Sequence, residues 1–229
     1  MMNMKYSIIF LVFIVIAGCN TENNMASKAP LIGVVMHNEF DQLPVTWVEY
    51  GSGDNVITFV GDSRIELGNP QDYFTHVINM GRGGTTTASL QYRVPFIKKF
   101  QTKVVFVSIG INNYSNFTAF MIPNDLLNFI DRIKNENESI KIIVGAVMPS
   151  VNSFGFWGCA INTSSVNDEL QKICDTKGVS FLWFREMMAD GYLKNEYTID
   201  GIHYNEKGYK AYFGVISKEI ELLQADRAE

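Results

Sequence analysis

The chain has 229 residues, 47% of them hydrophobic and 19% charged, which suits one folded α/β domain with a sizeable core and excludes a disordered protein. Its formal net charge of -5 at pH 7 excludes the clustered basic surface on which nucleic-acid binding depends. No Cys/His spacing of the zinc-binding kind occurs in the sequence, so no metal is expected.

Residues 1–18 are predicted to form a lipoprotein signal peptide. Lys5 precedes an apolar run over 8–17, which is shorter than the roughly 20 apolar residues that a membrane-spanning helix needs. The junction 16–19 (Ile-Ala-Gly-Cys) resembles a bacterial lipobox, and this resemblance implies cleavage before Cys19 and a lipid on its thiol. The prediction is an exported protein, anchored in the cell envelope on the periplasmic or surface side. A plain signal peptide and a retained anchor helix are the alternatives.

Three further segments follow the signal peptide. Residues 19–30 are small and polar and predict a tether between the lipid and the domain. Residues 31–54 are an N-terminal extension of the domain, in which the runs 32–36 and 44–50 are candidate short strands. Residues 55–229 form the domain itself.

Cys159 and Cys174 remain once the signal peptide is removed and Cys19 is lipidated. In an exported protein two cysteines can form a disulfide, but Cys also packs in cores as a small hydrophobe. Pairing depends on the separation of the Cα atoms, so both alternatives stay open at the level of sequence.

From residue 55 onward, strand and helix patterns alternate. Short runs rich in β-branched and aromatic residues predict strands at 56–60, 76–80, 103–109, 140–147 and 179–183. Apolar residues at helical spacing predict helices at 86–100, 123–137, 164–177 and 205–224. This alternation predicts parallel strands joined by helical crossovers. Ligands of such sheets bind beyond the carboxyl ends of the strands.

Polar and glycine-rich segments follow the first three predicted strands. The run 61–64 (Gly-Asp-Ser-Arg) carries Ser63, which is either a nucleophile at the strand-to-helix junction or, with Asp62, a helix cap. The run 81–87 exposes backbone N–H groups that suit an oxyanion, or is a plain turn; it lacks the dinucleotide and P-loop patterns, so no nucleotide cofactor is expected. The Asn112 amide is a candidate oxyanion donor or an ordinary loop residue.

Of the chain's three histidines, only His203 has a nearby acid in a loop. His37 lies in the uncertain N-terminal extension, and His76 lies at the start of a strand, at the wrong end of the sheet. Asp200, three residues before His203, can curl back to its Nδ1 atom. A serine nucleophile needs a base, and the base needs an acid that fixes its tautomer. The alternative is a cluster of polar residues at the start of a helix.

Taken in this order, the segments resemble the SGNH, or GDSL, hydrolase superfamily over roughly residues 55 to 220. The resemblance rests on four blocks: Gly61-Asp62-Ser63, Asn79-x-Gly81-x-x-Gly84-x-Thr86, Gly110-x-Asn112-Asn113 and Asp200-x-x-His203. It implies a flavodoxin-like three-layer α/β/α sandwich with a five-stranded, mostly parallel sheet. It also implies an ester hydrolase that uses an acyl-enzyme and requires neither cofactor nor metal.

The resemblance implies a role for each matching residue. Ser63 is the implied nucleophile, His203 its base and Asp200 the acid that orients the base. The backbone N–H groups of Ser63 and Gly84 and the side chain of Asn112 are the implied oxyanion hole.

Three positions depart from the family pattern. Arg64 stands where Leu is commoner, at a position that varies in the family. Asn113 replaces the usual Asp, which removes a supporting carboxylate. Thr85 stands where Asp is often found, which predicts a looser loop around Gly84.

The substrate is expected to be an ester of a short acyl group, such as acetyl on a glycan, because the chain has no long insertion that would shelter a fatty chain. Candidate aromatic walls for it are Tyr114, Phe117, Phe120, Phe154 and Trp157, which alternatively pack onto the core. An acyltransferase, a lysophospholipase or thioesterase, and a non-catalytic glycan-binding lipoprotein are the rival functions. The expected partners are a small-molecule or glycan ester and, through the anchor, a membrane, without nucleic acid.

Overall fold

The computed structural model describes residues 32–37, 44–50, 55–153 and 160–225. Several predicted features lie outside the described residues, namely the signal peptide, the tether, Cys19, Phe154, Trp157 and Cys159. Within the described ranges, no helix is both long enough and apolar enough to cross a membrane.

A seven-stranded sheet lies at the centre of the fold. Its strands are β1 (Ile32–His37), β2 (Pro44–Tyr50), β3 (Ile57–Gly61), β4 (Val77–Gly81), β5 (Val104–Ser108), β6 (Lys141–Gly145) and β7 (Ser180–Leu182). The spatial order is β1-β2-β4-β3-β5-β6-β7. Strands β3 to β7 pair in parallel, which confirms the predicted five-stranded parallel sheet. The two candidate strands of the N-terminal extension add an antiparallel edge.

The register of the central strands aligns the ends at which the site forms. Gly61, the last residue of β3, pairs with Gly81 of β4 on one side and with Ser108 of β5 on the other. The segments that follow these three strands therefore start side by side. All five residues of β3 are buried, as expected for a strand covered on both faces.

Six helices cover the sheet in the described part of the chain. They are α1 (Ser63–Glu66), α2 (Val94–Lys99), α3 (Ile111–Ser115), α4 (Ile122–Glu136), α5 (Ser164–Lys177) and α6 (Glu206–Ala225). The prediction of one helix over 86–100 was wrong in part, because residues Thr87–Tyr92 form a 3₁₀-helix and α2 begins only at Val94. Pro95 lies in the first turn of α2 and has no N–H to continue an α-helix through it. The other three predicted helices correspond to α4, α5 and α6 and agree with their predicted bounds within a residue.

Two apolar cores show the three-layer arrangement. On one face of the sheet, buried side chains of α2, α4 and α5 pack against Val60, Val105 and Val107. On the other face, α1 and α6 pack against Phe59 and Phe106. Each fully buried side chain of this size contributes about 1.5–3 kcal/mol. The predicted α/β/α sandwich is thereby confirmed.

The cysteine in α5 is a free, buried thiol. Burial, together with the charge of Asp175, raises the pKa of Cys174 to about 12. A thiol with so high a pKa is a packing residue rather than a reactive one.

Candidate active site

A sharp elbow between β3 and α1 presents Ser63. The side chain of Asp62 accepts a hydrogen bond from the backbone N–H of Arg64 at 3.0 Å and so caps α1, as the capping alternative supposed. Ser63 is then the first helical residue. Gly61 is required here because a Cβ atom would lie 2.2 Å from Cγ1 of Ile65, where α1 turns back across the strand end.

Ser63, His203 and Asp200 form one hydrogen-bonded chain. Ser63 Oγ lies 2.9 Å from Nε2 of His203, and Nδ1 of His203 lies 2.6 Å from Oδ2 of Asp200. The sequence separation between the serine and the histidine is 140 residues. The three predicted residues are therefore brought together by the tertiary fold, in the order in which a proton passes from a hydroxyl to an imidazole held by a carboxylate.

The second carboxylate oxygen of Asp200 is bound to its own loop. Oδ1 accepts the backbone N–H groups of Ile202 at 2.9 Å and of His203 at 2.8 Å. Partial desolvation raises the pKa of Asp200, but the donors from His203 and Ile202 together outweigh it and hold that pKa at about 2. The acid is consequently ionised at neutral pH.

Thr198 closes the loop that carries His203, and nothing in the sequence indicated this role. Its hydroxyl donates to the backbone carbonyl of His203 at 2.7 Å and accepts the N–H of Gly201 at 2.9 Å. The N–H of Ile199 donates to the same His203 carbonyl at 2.9 Å. These bonds replace the ladder that a regular strand would supply.

Arg64 was treated from sequence as a variable position, yet its side chain is only 5% exposed. It donates to three backbone carbonyls: Nε to Ile202 at 2.9 Å, Nη1 to Met148 at 2.5 Å and Nη2 to Pro149 at 2.8 Å. Its guanidinium carbon also lies 5.1 Å from the centre of the Tyr204 ring, within the range of a cation–π contact. A long side chain at the helix start thus reaches two distant loops.

Asp62 is a buried acid at the same elbow. Burial raises the pKa of its carboxyl, while the charge of Arg64 and the backbone donors of Arg64 and Gly110 oppose that rise. The elbow therefore holds a carboxyl group, of Asp62, and a guanidinium, of Arg64, that are both buried.

The glycine-rich loop after β4 lies beside Ser63. A Cβ on Gly83 would be 3.7 Å from Cβ of Ser63, and Gly84 adopts a positive φ of 73°, which favours glycine. The hydroxyl of Thr85 donates to the carbonyl of Arg82 at 2.8 Å. Thr85 therefore closes the loop, whereas a looser loop was predicted.

Asn112 joins this loop directly. Its amide nitrogen donates to the carbonyl of Thr85 at 3.0 Å, and an amide carries a second N–H donor. The predicted oxyanion donors of Gly84 and Asn112 are therefore on two segments that bind each other.

Asn113 has a full set of partners in place of the missing carboxylate. Its oxygen accepts the N–H of Thr87 at 3.1 Å, and its amide nitrogen donates to the Thr87 hydroxyl at 2.9 Å. The Thr87 hydroxyl in turn donates to Asp125 at 2.5 Å. The carboxylate absent at position 113 is thus supplied from α4, which the sequence did not indicate.

The described aromatic candidates differ in exposure. Tyr114 is half-buried against the core, and that burial raises its pKa to about 12. Phe117 and Phe120 are each 79% exposed, and Phe117 has a φ of 56°, which bulky residues rarely adopt. Phe117 and Phe120 are therefore more exposed than Tyr114.

No group of three or more potential metal-binding side chains is present among the residues that the structure describes.

The chain is similar to one protein family in sequence. The model of the GDSL-like lipase/acylhydrolase family matches residues 61–211. This range contains the elbow, the glycine-rich loop, Asn112 and the Asp200–His203 loop. No curated protein matches the sequence significantly.

Several solved structures are similar in fold. A candidate acylhydrolase from Bacteroides fragilis matches with a TM-score of 0.67 and 21% identity, over 76% of this chain and 89% of its own. A family 3 carbohydrate esterase from Clostridium thermocellum matches with a TM-score of 0.58 and 20% identity, over 75% of this chain and 98% of its own. A peptidoglycan O-acetylesterase matches with a TM-score of 0.52 and 18% identity, over 64% of this chain and 46% of its own.

Proposed function

The chain belongs to the GDSL-like lipase/acylhydrolase family and is a carboxylic ester hydrolase, and we propose that Ser63, His203 and Asp200 are its catalytic triad. The observation that carries this proposal is the continuous hydrogen-bonded chain from Ser63 Oγ through His203 to Asp200.

In the first half of the reaction, Ser63 Oγ attacks the ester carbonyl carbon while its proton passes to Nε2 of His203. The tetrahedral intermediate collapses, the ester C–O bond breaks, and the leaving alcohol takes the proton from Nε2. Ser63 is left as an acyl ester. Asp200 stabilises the imidazolium that forms in between.

In the second half, water attacks the acyl-enzyme and gives one proton to Nε2 of His203. The carboxylic acid leaves, and the Ser63 oxygen takes that proton back. The oxyanion of both tetrahedral intermediates is held by the backbone N–H groups of Ser63 and Gly84 and by the Asn112 amide. These donors are on elements fixed before substrate binds, which is the condition for electrostatic stabilisation.

For the substrate, we propose a short acyl group, such as acetyl, on a carbohydrate. Two of the similar structures are a carbohydrate esterase and a peptidoglycan O-acetylesterase. Exposed aromatic rings such as Phe117 and Phe120 suit the faces of sugar rings as well as acyl groups.

Labelling and turnover test the triad together. A fluorophosphonate probe is expected to label the wild type at Ser63, and p-nitrophenyl acetate and O-acetylated polysaccharide are expected to be cleaved faster than long-chain esters. Ser63→Ala should lose both labelling and turnover, whereas Ser217→Ala, a control on α6 whose hydroxyl hydrogen-bonds to Glu221, should keep them. Folded wild type that is neither labelled nor active would contradict the triad.

We also propose that Cys19 carries the lipid that holds the protein to the cell envelope. The support is the signal-like run and the lipobox-like junction that ends at Cys19. In a bacterial host, Cys19→Ala should move the protein from the membrane to the soluble fraction, while Cys174→Ala should remain at the membrane. A Cys19→Ala protein that is still membrane-bound would rule the lipid anchor out.

A further inference from the structure

We propose that Arg64 is a positioning residue that holds the His203 loop against the nucleophile. The inference rests on the proposed function, since it assigns Arg64 an effect on the proton transfer between Ser63 and His203. The resemblance to the family assigns roles to the triad and to the oxyanion hole, but it assigns none to the side chain of Arg64.

The first observation is the connectivity of one hydrogen bond. Arg64 directly follows Ser63, and Ile202 directly precedes His203. The bond from Arg64 Nε to the Ile202 carbonyl, at 2.9 Å, spans 138 residues. It therefore joins the neighbour of the nucleophile to the neighbour of the base, in parallel with the Ser63–His203 bond.

The second observation is that the same guanidinium holds a third segment. Its two terminal nitrogens donate to the carbonyls of Met148 and Pro149, in the loop that follows β6. That loop also contacts the histidine loop directly, because the N–H of Val151 donates to the carbonyl of Gly201 at 2.9 Å. Arg64 thus lies where α1, the loop after β6 and the histidine loop meet.

The third observation is the environment of the charge. A cation that is 5% exposed costs free energy unless it is well paired. Here three carbonyl acceptors, the Tyr204 ring and the nearby Asp62 carboxylate offset that cost. Asp62 itself caps α1, so its carboxyl group and the Arg64 guanidinium both act at the first turn of the helix that presents Ser63.

Only a guanidinium matches this set of acceptors. Its planar fork offers five donors in fixed directions, whereas an ammonium is a compact group at the end of a flexible stem. Lysine at position 64 would reach one of the three carbonyls at a time. An apolar side chain would leave the carbonyls of Met148, Pro149 and Ile202 without this donor.

The consequence is specific to the chemical step. Without the guanidinium, the distance between Ser63 Oγ and His203 Nε2 spreads over a wider range, and misplacement by about 1 Å can cost up to about 100-fold in rate. Arg64 is buried and is not proposed to touch the substrate. Its loss should therefore lower kcat and leave KM nearly unchanged.

The test compares Arg64→Met and Arg64→Lys with the wild type and with Arg93→Met. Arg93 is also buried, and its Nη1 atom donates locally, to the carbonyl of Ser89 in the preceding 3₁₀-helix. We expect kcat to fall about 10- to 100-fold in Arg64→Met with KM within about threefold, and by less in Arg64→Lys. Arg93→Met should lower thermal stability without a matching fall in kcat.

A second readout does not require turnover. With ¹⁵N-labelled histidine, the chain has three imidazoles, and the His203 signal is identified by its absence in His203→Gln. The Nδ1 proton shared with Asp200 should give a downfield resonance in the wild type. Arg64→Met should broaden or lose it, and Arg93→Met should keep it. If Arg64→Met does not fold, Arg64→Lys should show an intermediate signal and an intermediate kcat.

The outcomes separate the two proposals. An active wild type with unchanged kcat and imidazole signal in both Arg64 variants would overturn the positioning role and leave the triad standing. Equal falls in kcat for Arg93→Met and Arg64→Met would also overturn it, because loss of stability would then explain both. A folded wild type that is neither labelled nor active would overturn the triad and with it the catalytic effect of Arg64.

Discussion

The side of the site that carries the proposed nucleophile, Ser63, and the side that carries the proposed base, His203, are held in different ways. Ser63 follows a fully buried central strand and starts a helix that packs against the strand end at Gly61. His203 lies in an irregular loop whose shape depends on single side-chain bonds from Thr198, Asp200 and Arg64. The position of the nucleophile is therefore a property of the core, whereas the position of the base depends on a few polar contacts. Substitutions on the two sides should fail in different ways.

Among substitutions that keep Ser63, the largest effect is expected on the base side, from Asp200→Asn. Two backbone N–H groups hold Oδ1, so the amide nitrogen of the variant would face Nδ1 of His203. That donor forces the imidazole into the tautomer that cannot accept the serine proton, and kcat should fall about 10³- to 10⁴-fold. Steady-state hydrolysis of p-nitrophenyl acetate measures this fall in kcat. Asp190→Asn, in an exposed turn, is the control, and near-wild-type activity of Asp200→Asn would contradict the role of the acid.

Asn112→Ala should have the next largest effect, on the nucleophile side. It removes a proposed oxyanion donor and also the bond to the Thr85 carbonyl, so kcat should fall about 10²- to 10³-fold. Fluorophosphonate labelling of Ser63 should slow in parallel, since it passes through a similar charged intermediate. Asn128→Ala, on the exposed side of α4, should change neither rate. A variant that loses affinity but not kcat would place Asn112 in substrate binding instead.

Gly61→Ala should damage the core rather than the chemistry. The added Cβ would overlap Ile65 and approach the Ser108 carbonyl at 2.6 Å, which should cost about 1–3 kcal/mol in the free energy of unfolding. Urea denaturation measures this loss, and activity per folded molecule is the matched readout. A stable but inactive Gly61→Ala protein would break the distinction drawn between the two sides.

Thr198→Val, unlike Gly61→Ala, should affect kcat more than global stability. It is expected to have the mildest consequences of the four substitutions. The hydroxyl bonds to Gly201 and His203 are lost, which should cost about 1–2 kcal/mol locally and lower kcat about 3- to 10-fold. The midpoint of urea denaturation should move less than in Gly61→Ala. An unchanged kcat would mean that Arg64 and Asp200 hold the histidine loop without help from Thr198.

The N-terminal extension shows where sequence patterns stop being informative. Its two apolar runs were candidate strands, and they do form β1 and β2. Whether they join the main sheet depends on pairing with β4, a partner that local periodicity does not specify. The helix predicted over 86–100 is interrupted before α2, because Pro95 in the first turn of α2 has no N–H to continue an α-helix. This proline is a local feature of the sequence, but the prediction rested on the spacing of apolar residues alone.

By itself, the sequence determined the order of strands and helices, the elbow after β3 and the residue types able to carry ester chemistry. These follow from local patterns: the spacing of apolar side chains, a glycine at a strand end, and an acid three residues before a histidine. Only the tertiary structure decided how the site is supported. Arg64 reaches carbonyls that lie 84 to 138 residues away, and Asp125 of α4 supplies, through Thr87, the carboxylate that Asn113 lacks. Such bonds depend on which backbone groups remain unpaired once the layers have packed. Local sequence patterns do not specify these groups.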